Sequence, residues 1–125
     1  MTQDDRLLTA VTCLRVLATL FGPGELRAIS FDLAEPDTIG VTIGLPGIDE
    51  RFIELYTKSA DHPLDLVLPV FDQLQQFLAE ENGPTRGEAR PHCRDGHTHP
   101  ATCHRKDDGL FLVCPVDLEP FERLA

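Results

Sequence analysis

Cysteine and histidine residues gather in the C-terminal third of the sequence. The chain has four cysteines and five histidines, and most of them fall between residues 92 and 114. Thiolate and imidazole are the donors with which proteins hold zinc, usually four of them in a tetrahedron. In a reducing compartment, cysteines close to histidines indicate a metal site rather than disulfides. The sequence therefore predicts one bound zinc ion, and zinc is the cofactor that we expect.

Cys93 begins the predicted ligand set. His97 follows it after three intervening residues and His99 after five. Either spacing lets the two side chains reach one ion. We expect His97 to be the ligand ahead of His99, because the proline after His99 restricts its backbone without excluding ligation.

Two further ligands are expected from a β-hairpin. The pair Asp108-Gly109 is typical of a two-residue hairpin turn. With that turn Cys103 lies opposite Cys114, and the Cβ atoms of such opposed residues are about 4.5 to 5.5 Å apart. A turn with a bulge would shift this register by one residue. The predicted ligands are Cys93, Cys103, Cys114 and one histidine, and the alternatives to metal are a Cys103–Cys114 disulfide or plain buried thiols.

Motifs of known enzyme classes do not occur in the sequence. HExxH of zinc proteases, the HxE and PCxxC of deaminases, GxSxG and GxGxxG are all missing. Catalytic zinc keeps one position open for water. The three cysteines favour a closed, structural site instead. Two alternatives stay open: a small zinc-dependent hydrolase that uses His97 and His99, and a redox sensor whose thiolates oxidise and release the metal.

Apolar periodicity predicts the elements that position this segment. A helix is expected over residues 3–21, before Gly22-Pro23-Gly24, and its apolar residues cover more than one face. The extra face is expected to be buried in the monomer or to contact a second copy in a homodimer. Period-two alternation predicts three antiparallel strands within residues 28–33, 39–45 and 51–58, with a turn at 46–49.

A second helix and a closing helix complete the predicted order. Helical spacing is clear over residues 65–81, where Pro69 indicates a start near Leu68 or a break. A short helix is expected within residues 115–125. The predicted fold is α+β: a three-stranded antiparallel meander flanked by helices, with a C-terminal zinc-stapled β-hairpin. We expect one domain over residues 1–125, with residues 1–82 and 92–125 joined by a linker at 83–91.

Charge limits the partners of this chain. The 125 residues carry a net charge of −10, which argues against a nucleic-acid partner because such proteins present clustered Lys and Arg. No apolar run approaches the roughly 20 residues that span a bilayer. Asp4 and Asp5 occupy the place where a secretory signal would be basic. We therefore expect a cytoplasmic protein without a membrane or nucleic-acid partner.

The predicted order of elements resembles that of type III secretion chaperones. The resemblance covers most of the chain but concerns element order alone, and the Cys/His segment at residues 92–104 departs from it. It implies a small acidic protein, usually dimeric, that binds other polypeptides and performs no chemistry. Together with the predicted structural zinc, we expect a non-enzymatic protein-binding or regulatory module.

Overall fold

The first helix, α1, spans Gln3–Leu20 in the computed structural model, which describes residues 1–45, 50–79, 90–94, 97 and 99–125. Thr2 caps it: the Thr2 hydroxyl accepts from the Asp5 amide and the Asp5 carboxylate accepts from the Thr2 amide, both at 3.1 Å. This reciprocal capping box satisfies two donors that the helix cannot pair internally. The predicted helix over residues 3–21 is confirmed.

Three antiparallel strands follow as a meander in the order β1-β2-β3. They are β1 (Ala28–Asp32), β2 (Thr38–Gly44) and β3 (Arg51–Tyr56). Alternate side chains point into the core, as the period-two pattern predicts, and those with almost no exposure are Ile39, Val41, Ile43, Ile53 and Leu55. The three predicted strands are confirmed, and the predicted turn at residues 46–49 lies outside the described part of the chain.

The second helix, α2, spans Val67–Ala79 and is preceded by a turn of 3₁₀ helix at Pro63–Leu66. Pro69 falls in the first turn of α2, where a missing N–H removes no helical hydrogen bond. The expected start near Leu68 is therefore confirmed. Residues 80–89, which include the end of the predicted helix and most of the predicted linker at 83–91, lie outside the described residues.

The predicted C-terminal hairpin is present, and a third strand in place of the predicted closing helix extends it to a second antiparallel sheet. It contains β4 (Thr102–Lys106), β5 (Gly109–Val113) and β6 (Pro120–Arg123) in the order β4-β5-β6. The predicted closing helix is wrong, because the last residues pair with the free edge of β5. Leu110 donates to the Ala125 carbonyl at 3.0 Å and accepts from Leu124 at 2.7 Å. Pro120 opens the strand, where a proline is tolerated.

Both sheets and both helices contribute to one hydrophobic cluster. Its members with almost no exposure include Leu17, Leu20, Ile43, Phe71, Leu74, Leu110 and Leu112. The α+β class is thus confirmed, with two three-stranded antiparallel sheets and two α-helices among the described residues. None of the described helices has the length and apolar character that a bilayer crossing requires.

A buried arginine joins α1 to the first sheet. The Arg6 side chain is 5% exposed, and its Nη2 atom contacts the carbonyl oxygens of Leu33 (2.9 Å), Glu35 (2.5 Å) and Thr38 (2.9 Å). The first two carbonyls belong to the connection between β1 and β2, and Thr38 is the first residue of β2. A charged donor therefore satisfies buried backbone acceptors there and fixes α1 against the sheet.

Candidate metal centre

The β4–β5 hairpin turns one residue earlier than predicted. Lys106 pairs with Gly109, so Asp107 and Asp108 are the central residues of the turn, and Asp107 has a φ of 55°. Asp tolerates this left-handed conformation. Gly109 instead occupies a paired strand position, where a Cβ atom would lie 2.8 Å from the Phe111 ring. The glycine is needed for space, and the predicted Asp108-Gly109 turn is wrong.

This register separates Cys103 from Cys114. Cys103 lies opposite Leu112, not opposite Cys114 as predicted. Cys103 belongs to the hydrophobic cluster, and burial, together with the charge of Asp72, raises the pKa of its thiol to about 12. The structure therefore places Cys103 in the core as a neutral thiol, apart from the other predicted ligands.

The loop that carries three predicted ligands is closed at its base. His92 and Pro100 form an isolated antiparallel bridge, and the Ala101 amide donates to the Pro91 carbonyl at 2.9 Å. The Gln75 side chain of α2 donates to the Ala101 carbonyl at 2.7 Å. These contacts hold the two ends of the loop together and attach it to α2.

Arg90 attaches the start of the same loop to the end of α1. Its Nη1 atom donates to the Leu20 carbonyl at 3.0 Å and to Glu25 Oε1 at 2.7 Å. The Arg90 side chain, and then the Gly22 amide, hold the pKa of Glu25 below its usual value. Glu25 is thus an anion that fixes Arg90 in place, and the loop is anchored to both helices.

Cys114 reaches the loop from the end of β5. A tight turn follows it, in which the Cys114 amide donates to the Glu119 carbonyl at 3.1 Å and its carbonyl accepts from the Leu118 amide at 2.8 Å. Leu118 has a φ of 61° in this turn. Arg94 forms ion pairs with Asp117 and with Glu119, the latter at 3.2 Å. Arg94 therefore links the loop of Cys93 to the turn of Cys114.

Four donor atoms converge where the loop meets this turn. The donors are the sulfurs of Cys93 and Cys114, Nδ1 of His97 and Nε2 of His99, and all four lie within 4.8 Å of one another. The His97 nitrogen is 3.5 Å from each sulfur. It is 3.1 Å from the His99 nitrogen, which in turn is 3.9 Å from the Cys114 sulfur.

These distances match the edges of a metal-centred tetrahedron. For typical Zn–N and Zn–S bond lengths, the edges are about 3.4 Å between two nitrogens, about 3.6 Å between nitrogen and sulfur and about 3.8 Å between two sulfurs. Four of the six donor–donor separations run from 3.1 to 3.9 Å. The donors therefore leave room for one ion at their centre, and the cluster can hold a metal.

The surroundings of the donors suit a bound cation. Cys93 and Cys114 are buried, and burial followed by contact with the Cys114 thiol raises the pKa of Cys93. A thiolate at Cys93 consequently needs a positive partner. The second ring nitrogen of His99 lies 3.4 Å from the Pro100 carbonyl. With Nε2 on a metal, Nδ1 carries the proton and donates to this carbonyl, as the outer nitrogen of a ligating histidine usually does.

Other acidic and histidine side chains of the same stretch lie outside this cluster. Within the described residues the group of metal-binding side chains contains no carboxylate, and Asp107 is an exposed residue of the hairpin turn. Asp95 lies outside the described residues. His92 and His104 are exposed. All four cysteines are free, so the structure contains no Cys103–Cys114 disulfide.

Comparison with protein-family models, with curated proteins and with solved structures gave no match. The functional interpretation therefore depends on the residues and the geometry of the chain itself. Sequence reasoning found Cys93, His97, His99 and Cys114 but did not find Arg94, Asp117 and Glu119, whose ion pairs join the two loops. Their separation in sequence gives no periodic or motif signal.

Proposed function

We propose that Cys93, His97, His99 and Cys114 bind one zinc ion with a structural role, in a non-enzymatic module that acts by binding protein. The observation that carries this proposal is the convergence of two sulfur and two nitrogen donors at tetrahedral separations. Sulfur and imidazole donors in a tetrahedron favour zinc over magnesium or calcium, which prefer oxygen ligands.

A structural role follows from the number of protein donors. Four protein ligands close the shell of a tetrahedral zinc ion, whereas a catalytic zinc site keeps a position for water or substrate. Among the residues that the structure describes, the cluster includes no carboxylate to act as a general base. Zinc here would supply no chemistry of its own, and its contribution would be to folding.

The four ligands come from two parts of the chain that need a connection. Three lie in the loop that Arg90 and Gln75 attach to the helices, and Cys114 lies at the end of β5. One ion would therefore tie the second sheet to the helical part of the molecule. Because the site does not exist in the unfolded chain, the free energy of binding becomes free energy of folding.

A protein-binding role is supported by the helix that opens the chain. Several large apolar side chains of α1 remain more than two-fifths exposed, and contiguous apolar surface of this kind is typical of contact sites. A chaperone-like role is the more specific form of this proposal. The resemblance to type III secretion chaperones depends on the predicted order of helix, three strands, helix, two-stranded hairpin and helix. The chain has this order up to the hairpin, and β6 in place of the final helix departs from it.

The test is the metal content of protein purified without chelator and without added metal. We expect one zinc per chain by elemental mass spectrometry. Replacement with cobalt should then give the intense visible absorption of tetrahedral coordination, with thiolate charge-transfer intensity for two sulfurs. A metal-free protein that does not bind added zinc would refute the site, and intensity for three sulfurs would restore Cys103 as a ligand.

A further inference from the structure

The outward side of α1 presents a stripe of aliphatic residues. Leu7 is 45% exposed, Leu8 42%, Val11 48% and Leu14 43%, while the opposite side of the helix, with Cys13, Val16 and Leu20, is buried. Positions 7, 11 and 14 follow one another along a single face at helical spacing. We call Leu7, Leu8, Val11 and Leu14 the α1 stripe. In the described part of the chain no segment buries it.

The two ends of the α1 stripe carry opposite charges. Asp4 lies on its N-terminal side and Arg15 on its C-terminal side, and both are exposed. Neither side chain takes part in an ion pair among the residues that the structure describes. Arg15 donates only to the Leu124 backbone carbonyl, at 3.2 Å. The stripe thus runs from an acid through aliphatic residues to a base.

We propose that the α1 stripe binds the α1 stripe of a second copy of this chain, with the two helices antiparallel. In that arrangement Asp4 of each copy approaches Arg15 of the other, and Leu7 packs against Leu14 of the second copy. An antiparallel pair also places the positive N-terminal end of each helix dipole beside the negative C-terminal end of the other. A parallel pair would instead place Asp4 beside Asp4 and Arg15 beside Arg15.

Self-association fits this surface because the pattern is complementary to itself. A twofold interface requires one patch to satisfy its own copy. A twofold axis near Val11 meets this requirement. It places the acidic end of one stripe beside the basic end of the other, and Leu7 and Leu8 of one copy near Leu14 of the other. The inference rests on the protein-binding part of the proposed function and is independent of zinc, whose ligands lie on other loops.

The experiment measures mass in solution by sedimentation equilibrium over a range of protein concentrations. The wild type should form a dimer. Because residue 11 lies near the axis, Val11→Lys and Val11→Glu should each be monomeric, through repulsion between like charges. An equimolar mixture of the two variants should form a heterodimer. Val116→Lys, at a position that is 74% exposed in the turn after β5, is the matched control and should leave the dimer intact.

A charge exchange tests the direction of the helices. Asp4→Lys alone and Arg15→Glu alone should each weaken the dimer by about tenfold or more, and the double variant should recover most of the wild-type affinity. A parallel dimer predicts no such recovery. Equal weakening in the double variant would therefore overturn the antiparallel arrangement.

The inference fails if the folded wild type is monomeric at high concentration, or if the mixed Val11 variants stay apart. Circular dichroism and zinc content are measured on the same samples. A folded, zinc-loaded monomer contradicts only the dimer. A metal-free protein that still dimerises contradicts only the zinc site.

Discussion

The Nδ1 atom of His97 lies 3.1 Å from the Nε2 atom of His99. Two neutral imidazole nitrogens that turn their lone pairs toward each other at this distance repel unless a cation or a proton lies between them. Cys93 and Cys114 approach the same point. A metal ion satisfies all four donors at once, whereas a proton satisfies only two of them.

Serine substitutions should show different effects on zinc affinity for Cys114, a donor in the cluster, and Cys103, a residue of the core. We expect Cys114→Ser to lower zinc affinity by at least about 100-fold, because the tetrahedron loses a thiolate, while Cys103→Ser keeps the affinity within a few-fold. Competition with a chromophoric chelator measures both. Equal losses in the two variants would contradict the assignment of Cys103 to the core.

Histidine variants make a second matched pair. His99 Nε2 is a donor in the cluster, whereas His104 is exposed on β4. His99→Ala should therefore weaken zinc binding by at least about 10-fold, because loss of a ligand should cost no less than the roughly 10- to 100-fold typical of losing a ligand's hydrogen-bond partner. His104→Ala should leave binding unchanged. Titration with zinc under the same chelator checks both, and an unchanged His99→Ala would leave only three protein ligands.

Metal removal should loosen the second sheet before the first. At zinc concentrations 100-fold above the dissociation constant, binding stabilises the folded chain by about 2.7 kcal/mol, and a chelator withdraws this amount. Amide hydrogen exchange should then accelerate at Cys114, Leu118 and Leu124. The amides of β2, whose side chains lie in the core, should respond less. A uniform change across both sheets would contradict a local role for the metal.

The space around Gly109 makes the hairpin register testable. A Cβ at Gly109 would lie 2.8 Å from Phe111 and 3.3 Å from the Ala125 carbonyl oxygen, whereas at Gly44 the nearest atom is 3.4 Å away. Gly109→Ala should cost about 1 to 3 kcal/mol of unfolding free energy through overpacking. Gly44→Ala should be nearly neutral. Denaturant unfolding measures both, and a neutral Gly109→Ala would contradict the observed register.

The buried thiol of Cys13 should make the free energy of unfolding depend on pH in the alkaline range. Burial raises the pKa of its thiol from 9.0 to about 12. Above pH 9 the unfolded chain loses this proton while the folded chain keeps it, so stability falls as pH rises between about 9 and 12. One such proton contributes about 1.4 kcal/mol per pH unit. Cys13→Ala should therefore show a shallower loss of unfolding free energy over pH 9 to 11 than the wild type, and an unchanged slope would contradict the buried thiol.

The sequence predicted the elements well where the apolar spacing fits only one type of secondary structure. The first helix, the three strands of the meander and the second helix all follow from apolar spacing. The β4–β5 register could not be predicted in this way. The observed register differs from the predicted one by two residues, and a shift of two leaves every side chain on the same face of the sheet. Leu110, Leu112 and Cys103 are therefore buried in both, so the apolar alternation cannot distinguish the two registers.

The helix predicted within residues 115–125 was wrong because the local apolar spacing does not show tertiary pairing. Val116, Leu118, Phe121 and Leu124 have helical spacing, yet Val116 is 74% and Leu118 67% exposed in the turn after Cys114. This segment forms a strand because its backbone pairs with the open edge of β5. That edge exists only in the folded sheet, so the local sequence pattern could not reveal it. Four of the five candidate ligands nevertheless lie in the donor cluster, because their residue types and spacing carry the signal directly.

The position of Cys114 also sets an order of events during synthesis. Cys93, His97 and His99 leave the ribosome first, and they form an incomplete set until Cys114 follows. Because α1, the first sheet and α2 precede all four donors in the chain, these elements are synthesised before any part of the metal site. If the proposed zinc site is correct, a fragment that ends before Cys114 should hold zinc far more weakly than the finished protein, which supplies all four donors.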